Sequence, residues 1–124
     1  LQRLEAFLRE RPDTPWRGTV LWLAADCCLR LDQPRRRVGF LLRQMEENRA
    51  AAAAGTPPDN LLLYWWLATA AQYDLGDFPL ARDFYGRLIR DYPVDQRVFL
   101  AKKALRAMDE QEREWLAAGG EGGG

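Results

Sequence analysis

Apolar residues recur along this chain at spacings of three and four, the period of a helix with one buried face. Leu1, Leu4, Phe7 and Leu8 predict a first helix over residues 1–10, which ends ahead of Pro12 because a residue before proline avoids helical backbone. Thr14-Pro15 is a helix start, a capping residue followed by proline at the first position, and the pattern runs on over 15–31. Val20, Leu21, Leu23, Ala24, Cys27, Cys28 and Leu31 cover two faces of that helix, so it should lie between neighbours. Trp22, Asp26 and Arg30 form its remaining stripe, with Asp26 and Arg30 spaced as an exposed ion pair worth ~0.3–0.5 kcal/mol. A third helix over 34–54 turns Val38, Leu41, Leu42 and Met45 inward and carries Arg35-Arg36-Arg37 in its first turn. That run is a solvated basic edge or a docking spot for an acidic partner or phosphate. Gly55 ends the helix, and Thr56-Pro57-Pro58-Asp59 is a loop with Asp59 or Asn60 as the next cap.

The fourth helix, 60–75, is apolar nearly all round. Gly76-Asp77 breaks it, and Asp77 caps a fifth helix over 78–92 that Pro93 stops. Asp95 caps a sixth over 95–118, with Val98, Ala101, Leu105 and Met108 as its buried stripe and Trp115 as an addition to it. Beyond Asp109 it is mostly charged and should project into solvent, and Gly119–Gly124 is a flexible tail. No stretch alternates with the two-residue period of a half-buried strand, so the expected fold is all-α.

The chain also repeats itself. A shift of 44 residues lays Trp22-Leu23-Ala24 on Trp66-Leu67-Ala68 and Leu31 on Leu75. A shift of 43 lays Val38, Leu41 and Met45 on Ala81, Phe84 and Leu88. A shift of 81 lays Phe7-Leu8-Arg9-Glu10-Arg11-Pro12 on Leu88-Ile89-Arg90-Asp91-Tyr92-Pro93. The order is therefore the second helix of a hairpin, two whole hairpins and one further helix, about six in all, the signature of a solenoid. The first helix lacks its partner and the chain begins at Leu1 without Met, so we expect a fragment or processed form of a longer protein.

Composition narrows the chemistry. The 124 residues suffice for one domain, and 48% are apolar, too many for general disorder. Lys+Arg and Asp+Glu both number 18, so the basic excess of a nucleic-acid binder is missing. His and Ser are both absent, and no glycine-rich phosphate loop or metal-ligand cluster is visible. We expect no enzyme, no cofactor and no metal. Cys27 and Cys28 are adjacent, point about 100° apart on a helix, and read as buried free thiols rather than a redox pair. No run of 18 apolar residues could insert into a membrane.

Gly76-Asp77-Phe78, Ala81, Tyr85 and Pro93, with Trp65 and Ala68 before them, resemble the tetratricopeptide repeat (TPR). Leu75-Gly76-Asp77-Phe78 followed by Arg90-Asp91-Tyr92-Pro93 is similar to the branch found in bacterial outer-membrane assembly lipoproteins and Tol–Pal-associated periplasmic proteins. The likeness covers Leu62–Pro93. Trp16–Met45 departs from it, with Asp32-Gln33-Pro34 in place of the glycine turn and Val38 in place of a small residue, and Gln72 stands where a tyrosine is usual. The resemblance implies a right-handed α-α superhelix whose first helices line a concave groove for a protein or peptide partner. That groove would carry Trp66, Ala70, Tyr73 and Asp74 from one repeat and Trp22, Asp26 and Arg30 from the one before. A carboxylate clamp of the kind known in these repeats is not expected, since Arg30 is the one cation on the stripe. The alternative is a structural or oligomerisation segment with no ligand groove, for instance a homodimer through uncovered apolar ends at Leu1, Leu4 and Phe7. Cell envelope and cytoplasm both remain open as compartments.

Overall fold

The computed structural model describes residues 1–11, 16–51 and 59–119. Among them there are six helices and no strand: α1 (Gln2–Glu10), α2 (Arg17–Arg30), α3 (Pro34–Ala51), α4 (Leu61–Thr69), α5 (Phe78–Asp91) and α6 (Arg97–Ala117). The expected cap at Thr14-Pro15, the end of the third helix at 52–54, the Gly55 stop, the loop through Pro58 and the tail over 120–124 lie outside the described residues. Each helix packs chiefly on its neighbours in sequence, α1 on α2, α2 on α3, α4 on α5 and α5 on α6, while α3 also touches α4.

The turns explain this order. Asp32 follows α2 in left-handed backbone, φ 54°, an arrangement an aspartate tolerates better than most residues. Around it Gln33 N–H donates to the Cys28 carbonyl at 2.8 Å and Asp32 N–H to that of Leu29 at 3.3 Å. These two bonds make the Schellman stop of a helix, and Pro34 then opens α3. Gly76, 44 residues later, occupies the same left-handed position, φ 64°, and its neighbour Asp77 donates its N–H to the Ala71 carbonyl at 2.8 Å. Asp77 then caps α5, its side chain accepting from the Leu80 N–H at 3.1 Å. Asp32 thus fills the place of the glycine the sequence lacks there.

The 81-residue shift has a counterpart as well. Arg11 after α1 and Tyr92 after α5 end their helices in nearly the same backbone, φ −134° ψ 66° and φ −130° ψ 58°. Both precede a proline in sequence, which pushes the backbone out of the helical region.

One element differs from expectation. The fourth helix does not stay α to its end but widens into a π-helical turn over Ala70–Leu75. At the two helix starts where an acidic cap was expected, Asp59 and Asp95 each accept a backbone N–H. Asn60 sits at the N-cap of α4, yet its side chain accepts from Asn48 Nδ2 at 3.2 Å, and Asp59 takes the Leu61 N–H at 3.4 Å. α6 begins at Arg97, with Asp95 just ahead of it accepting the Arg97 N–H at 2.8 Å.

The core runs through all six helices. Leu21, Ala24 and Cys28 of α2 meet Val38, Phe40, Leu41 and Met45 of α3, and Leu67 and Ala68 of α4 meet Ala81, Phe84, Tyr85 and Leu88 of α5. Ala24, Ala68, Ala81 and Ala101 are wholly buried, and their small side chains let helix axes approach closely. Each buried Leu or Phe contributes about 1.5–3 kcal/mol against exposure. Several expectations of burial fail: Leu23, on a face expected to be covered, is exposed, and Cys27 is only partly buried. Leu31 and Trp115 are exposed, Leu31 because it precedes the turn and Trp115 because α6 has outrun α5. Leu1, Leu4 and Phe7 are partly buried against the core rather than left uncovered.

Candidate functional site

Trp22 of α2 and Trp66 of α4 are equivalent under the 44-residue shift, and the fold brings them to one place. Together with Ala25, Asp26, Leu29, Arg37 and Leu41 they line a hollow of about 160 Å³ at the junction of α2, α3 and α4. The same two indoles also border a second hollow of about 470 Å³ with Gly18, Thr19, Gln44, Asn48, Asp59, Leu62 and Leu63. The rings are therefore shared walls of two adjoining depressions that make one trough. Trp22 is about half exposed and Trp66 is partly buried, packed against the core. An indole so placed offers a large apolar face with little rotamer entropy left to lose, a property of binding hot spots.

The polar groups of the trough come from opposite ends. In the smaller hollow, Asp26 pairs with Arg30 at 3.1 Å, one turn further along α2, and Arg30 reaches into solvent. In the larger one a string of hydrogen bonds runs behind the wall: Gln44 Nε2 donates to Asn48 Oδ1 at 3.1 Å and Asn48 Nδ2 to Asn60 Oδ1 at 3.2 Å. The Asn60 N–H donates to the Tyr92 hydroxyl at 2.8 Å, and that hydroxyl donates to Asp59 at 3.4 Å. Burial holds the Tyr92 phenol above its ordinary range, partly offset by the Asn60 N–H it accepts. This string ties α3 to the starts of α4 and the end of α5, so the trough rests on a braced frame.

Of the residues expected to form the groove, Trp22, Asp26 and Trp66 meet in the trough, and Arg30 borders it through its pair with Asp26. Tyr73 does not join them. It lies seven residues beyond Trp66, about 10 Å along the helix at 1.5 Å per residue, and the π-helical turn changes its angular position. Tyr73 instead lines a separate hollow of about 730 Å³ with Gln72, Gly76, Phe78, Gln111, Glu112 and Trp115. Asp74 is exposed and lines neither hollow, and Ala70 is buried. Gln72 in that region accepts the Tyr85 hydroxyl at 2.7 Å, which gives its departure from tyrosine a structural use.

Residues outside the expected stripes also line the trough: Arg37, Leu41, Gln44 and Asn48, which belong to the second helix of a hairpin, and Ala25 and Leu29, which flank the Trp22–Asp26 stripe on α2. The Arg35-Arg36-Arg37 run hinted at the first of these. Its members part ways: Arg35 is exposed, Arg36 pairs with Glu5 of α1 and Gln33, and Arg37 enters the trough wall. Cys28 is fully buried and its thiol is pushed up, chiefly by burial. Among the described residues no group of three or more His, Cys, Asp or Glu could hold a metal, and no helix is long and apolar enough to cross a membrane. No protein-family model, curated protein or solved structure matches this chain.

Proposed function

We propose that this chain is a tetratricopeptide-like interaction module, a right-handed α-α superhelix that holds an extended segment of a protein partner in the Trp22–Trp66 trough. The observation that carries the reading is the convergence of these two indoles, one from each successive hairpin, on one hollow. The paired left-handed turns at Asp32 and Gly76 and the matched helix ends at Arg11 and Tyr92 support the repeat. The reading assigns no catalysis: the carboxylate in the smaller hollow is engaged by Arg30, and the trough has neither His nor Ser.

The test is selection of binders from a displayed library of ten-residue peptides, followed by titration of the winners. Trp22→Ala should weaken them by more than ~10-fold, the scale of a hot-spot tryptophan. Phe99→Ala, at an exposed position of α6 that does not line the trough, should leave them unchanged. Winners indifferent to Trp22 would reject the trough.

A second reading is favoured by Val94, Phe99, Leu100 and Leu116, which are exposed on α6 and the turn before it. Here the chain stacks on another helical unit through α6. Sedimentation at rising concentration separates the two, since a strict monomer removes self-stacking.

A further inference from the structure

The trough contains a charge that the fold does not use. Arg37, in the first turns of α3, is partly buried in the wall of the smaller hollow, and its side chain has neither ion pair nor hydrogen bond among the described residues. Arg17 pairs with Glu47, Arg30 with Asp26 and Arg36 with Glu5, while Arg35 is exposed to water, so Arg37 differs from them in being partly buried without a partner. Asp26, the carboxylate sharing the hollow, is held by Arg30 and leaves Arg37 unpaired. A guanidinium half withdrawn from water and lacking an acceptor gains more from an incoming carboxylate than an exposed one does, because part of its desolvation is already met.

The space beside it has a definite size. About 160 Å³ bounded by Trp22, Trp66, Leu29 and Leu41 matches one aromatic or branched side chain, since an apolar cavity of ~150 Å³ accepts a benzene ring. The hollow is not closed at the indoles, which border the larger depression as well, so a bound chain can continue past them. Resting on the function proposed above, we infer that the trough selects an internal peptide segment in which an acidic residue adjoins an aromatic one. The aromatic ring lies between Trp22 and Trp66, and the carboxylate is gripped by Arg37.

The probes are ten-residue peptides of Ala and Gly, blocked at both ends, with Glu-Phe, Gln-Phe, Lys-Phe or Glu-Ala at the centre. A fifth ends in Phe with a free carboxylate and has no Glu. Affinities are read by fluorescence anisotropy at low and high salt. The Glu-Phe peptide should bind about 10-fold tighter than Gln-Phe, the scale of a charge-assisted hydrogen bond, and Lys-Phe should be weakest. Arg37→Gln should level Glu-Phe with Gln-Phe, and Arg37→Lys should keep part of the preference, with unchanged melting for both variants. Trp22→Ala should weaken all of the peptides that bind. Equal, Trp22-dependent affinity for Glu-Phe and Gln-Phe would overturn the acidic preference while leaving the binding module standing. Tight binding of the free-ended peptide alone would overturn the internal segment in favour of a chain terminus. No Trp22-dependent binding of any probe would count against both readings.

Discussion

Substitution at the two left-handed turns is the most direct probe of the repeat. At Gly76 φ is 64°, and a Cβ built there meets nothing within 4 Å. Gly76→Ala therefore carries no clash, and its cost is the backbone's alone. An L-residue in left-handed conformation costs roughly 1–2 kcal/mol, and the lower entropy of Ala in the unfolded chain returns about 0.4–1 kcal/mol. The net loss is about 1 kcal/mol. For 124 residues the unfolding entropy is about 0.26 kcal/mol/K, so the melting temperature should fall by about 4 °C. Asp32 holds the equivalent backbone with a side chain, so Asp32→Gly should change stability by less than about 0.5 kcal/mol, relief of strain offsetting added unfolded-state freedom. At both positions one ranking should hold, with Gly and Asn best, Asp next, then Ala, and Val worst by more than ~1 kcal/mol. Thermal melts by circular dichroism, checked against urea midpoints, measure it. A neutral Gly76→Ala, or Val equal to Ala at Asp32, would refute the claim that the two turns perform the same task.

Leu67 is wholly buried in α4, and Leu67→Ala should cost about 2–5 kcal/mol in urea unfolding, a large part of a small domain's stability. Asp77→Ala removes the cap accepted from Leu80 and should cost about 1 kcal/mol by the same measurement. Burial, with a lesser contribution from Tyr73, pushes the Tyr85 phenol up to about 12 from an ordinary value of 10.0. The folded state thus keeps a proton that the unfolded chain gives up above pH 10, so this stability is present below pH 10 and is lost as pH climbs towards 12. Absorbance titration should show a phenolate step near pH 12 that Tyr85→Phe deletes. Cys27 is partly exposed and Cys28 sealed, so a thiol reagent should label one cysteine promptly and the second only on unfolding, with Cys27→Ala abolishing the fast phase.

Much of the helical layout could be read from the residues. The helix ends before Pro12 and Pro93 and at Gly76-Asp77 follow from local backbone rules, which act within a few residues. The stop after α2 was harder. Asp32 carries no glycine signal, and its left-handed backbone is imposed by the helices on either side. The register of α3 shows a similar limit. Val38, Leu41 and Met45 match α5 at a shift of 43, yet Phe40 is also buried and, with Leu41, matches Phe84 and Tyr85 at 44. A helix covered on two sides buries adjacent positions, so periodicity alone does not select between the shifts. The site was half legible. Trp22 and Asp26 lie on one stripe of α2 and Trp66 on the equivalent stripe of α4, but Arg37 and Leu41 reach the trough from α3, which neither stripe includes. The separation of Tyr73 from Trp66 depends on the π-helical turn, which no residue pattern announces.

That turn has a consequence for how much surface one ligand can use. If α4 had stayed α-helical through Leu75, Tyr73 would repeat the direction of Trp66 and extend the trough along the helix. The π turn instead aligns Gln72 with the buried Tyr85 hydroxyl and leaves Tyr73 beside Trp115 and Phe78. Around the Tyr73 hollow the cationic place is already filled: Arg82 is 6.0 Å over the Phe78 ring and pairs with Glu112 at 2.9 Å and Asp109 at 3.1 Å. A ligand there would have to compete with an internal network, whereas Arg37 in the first trough waits for an acceptor. The two aromatic hollows are thus unequal in electrostatic terms, and it is the unpaired arginine, rather than the larger volume, on which the proposal of a partner site in the trough rests.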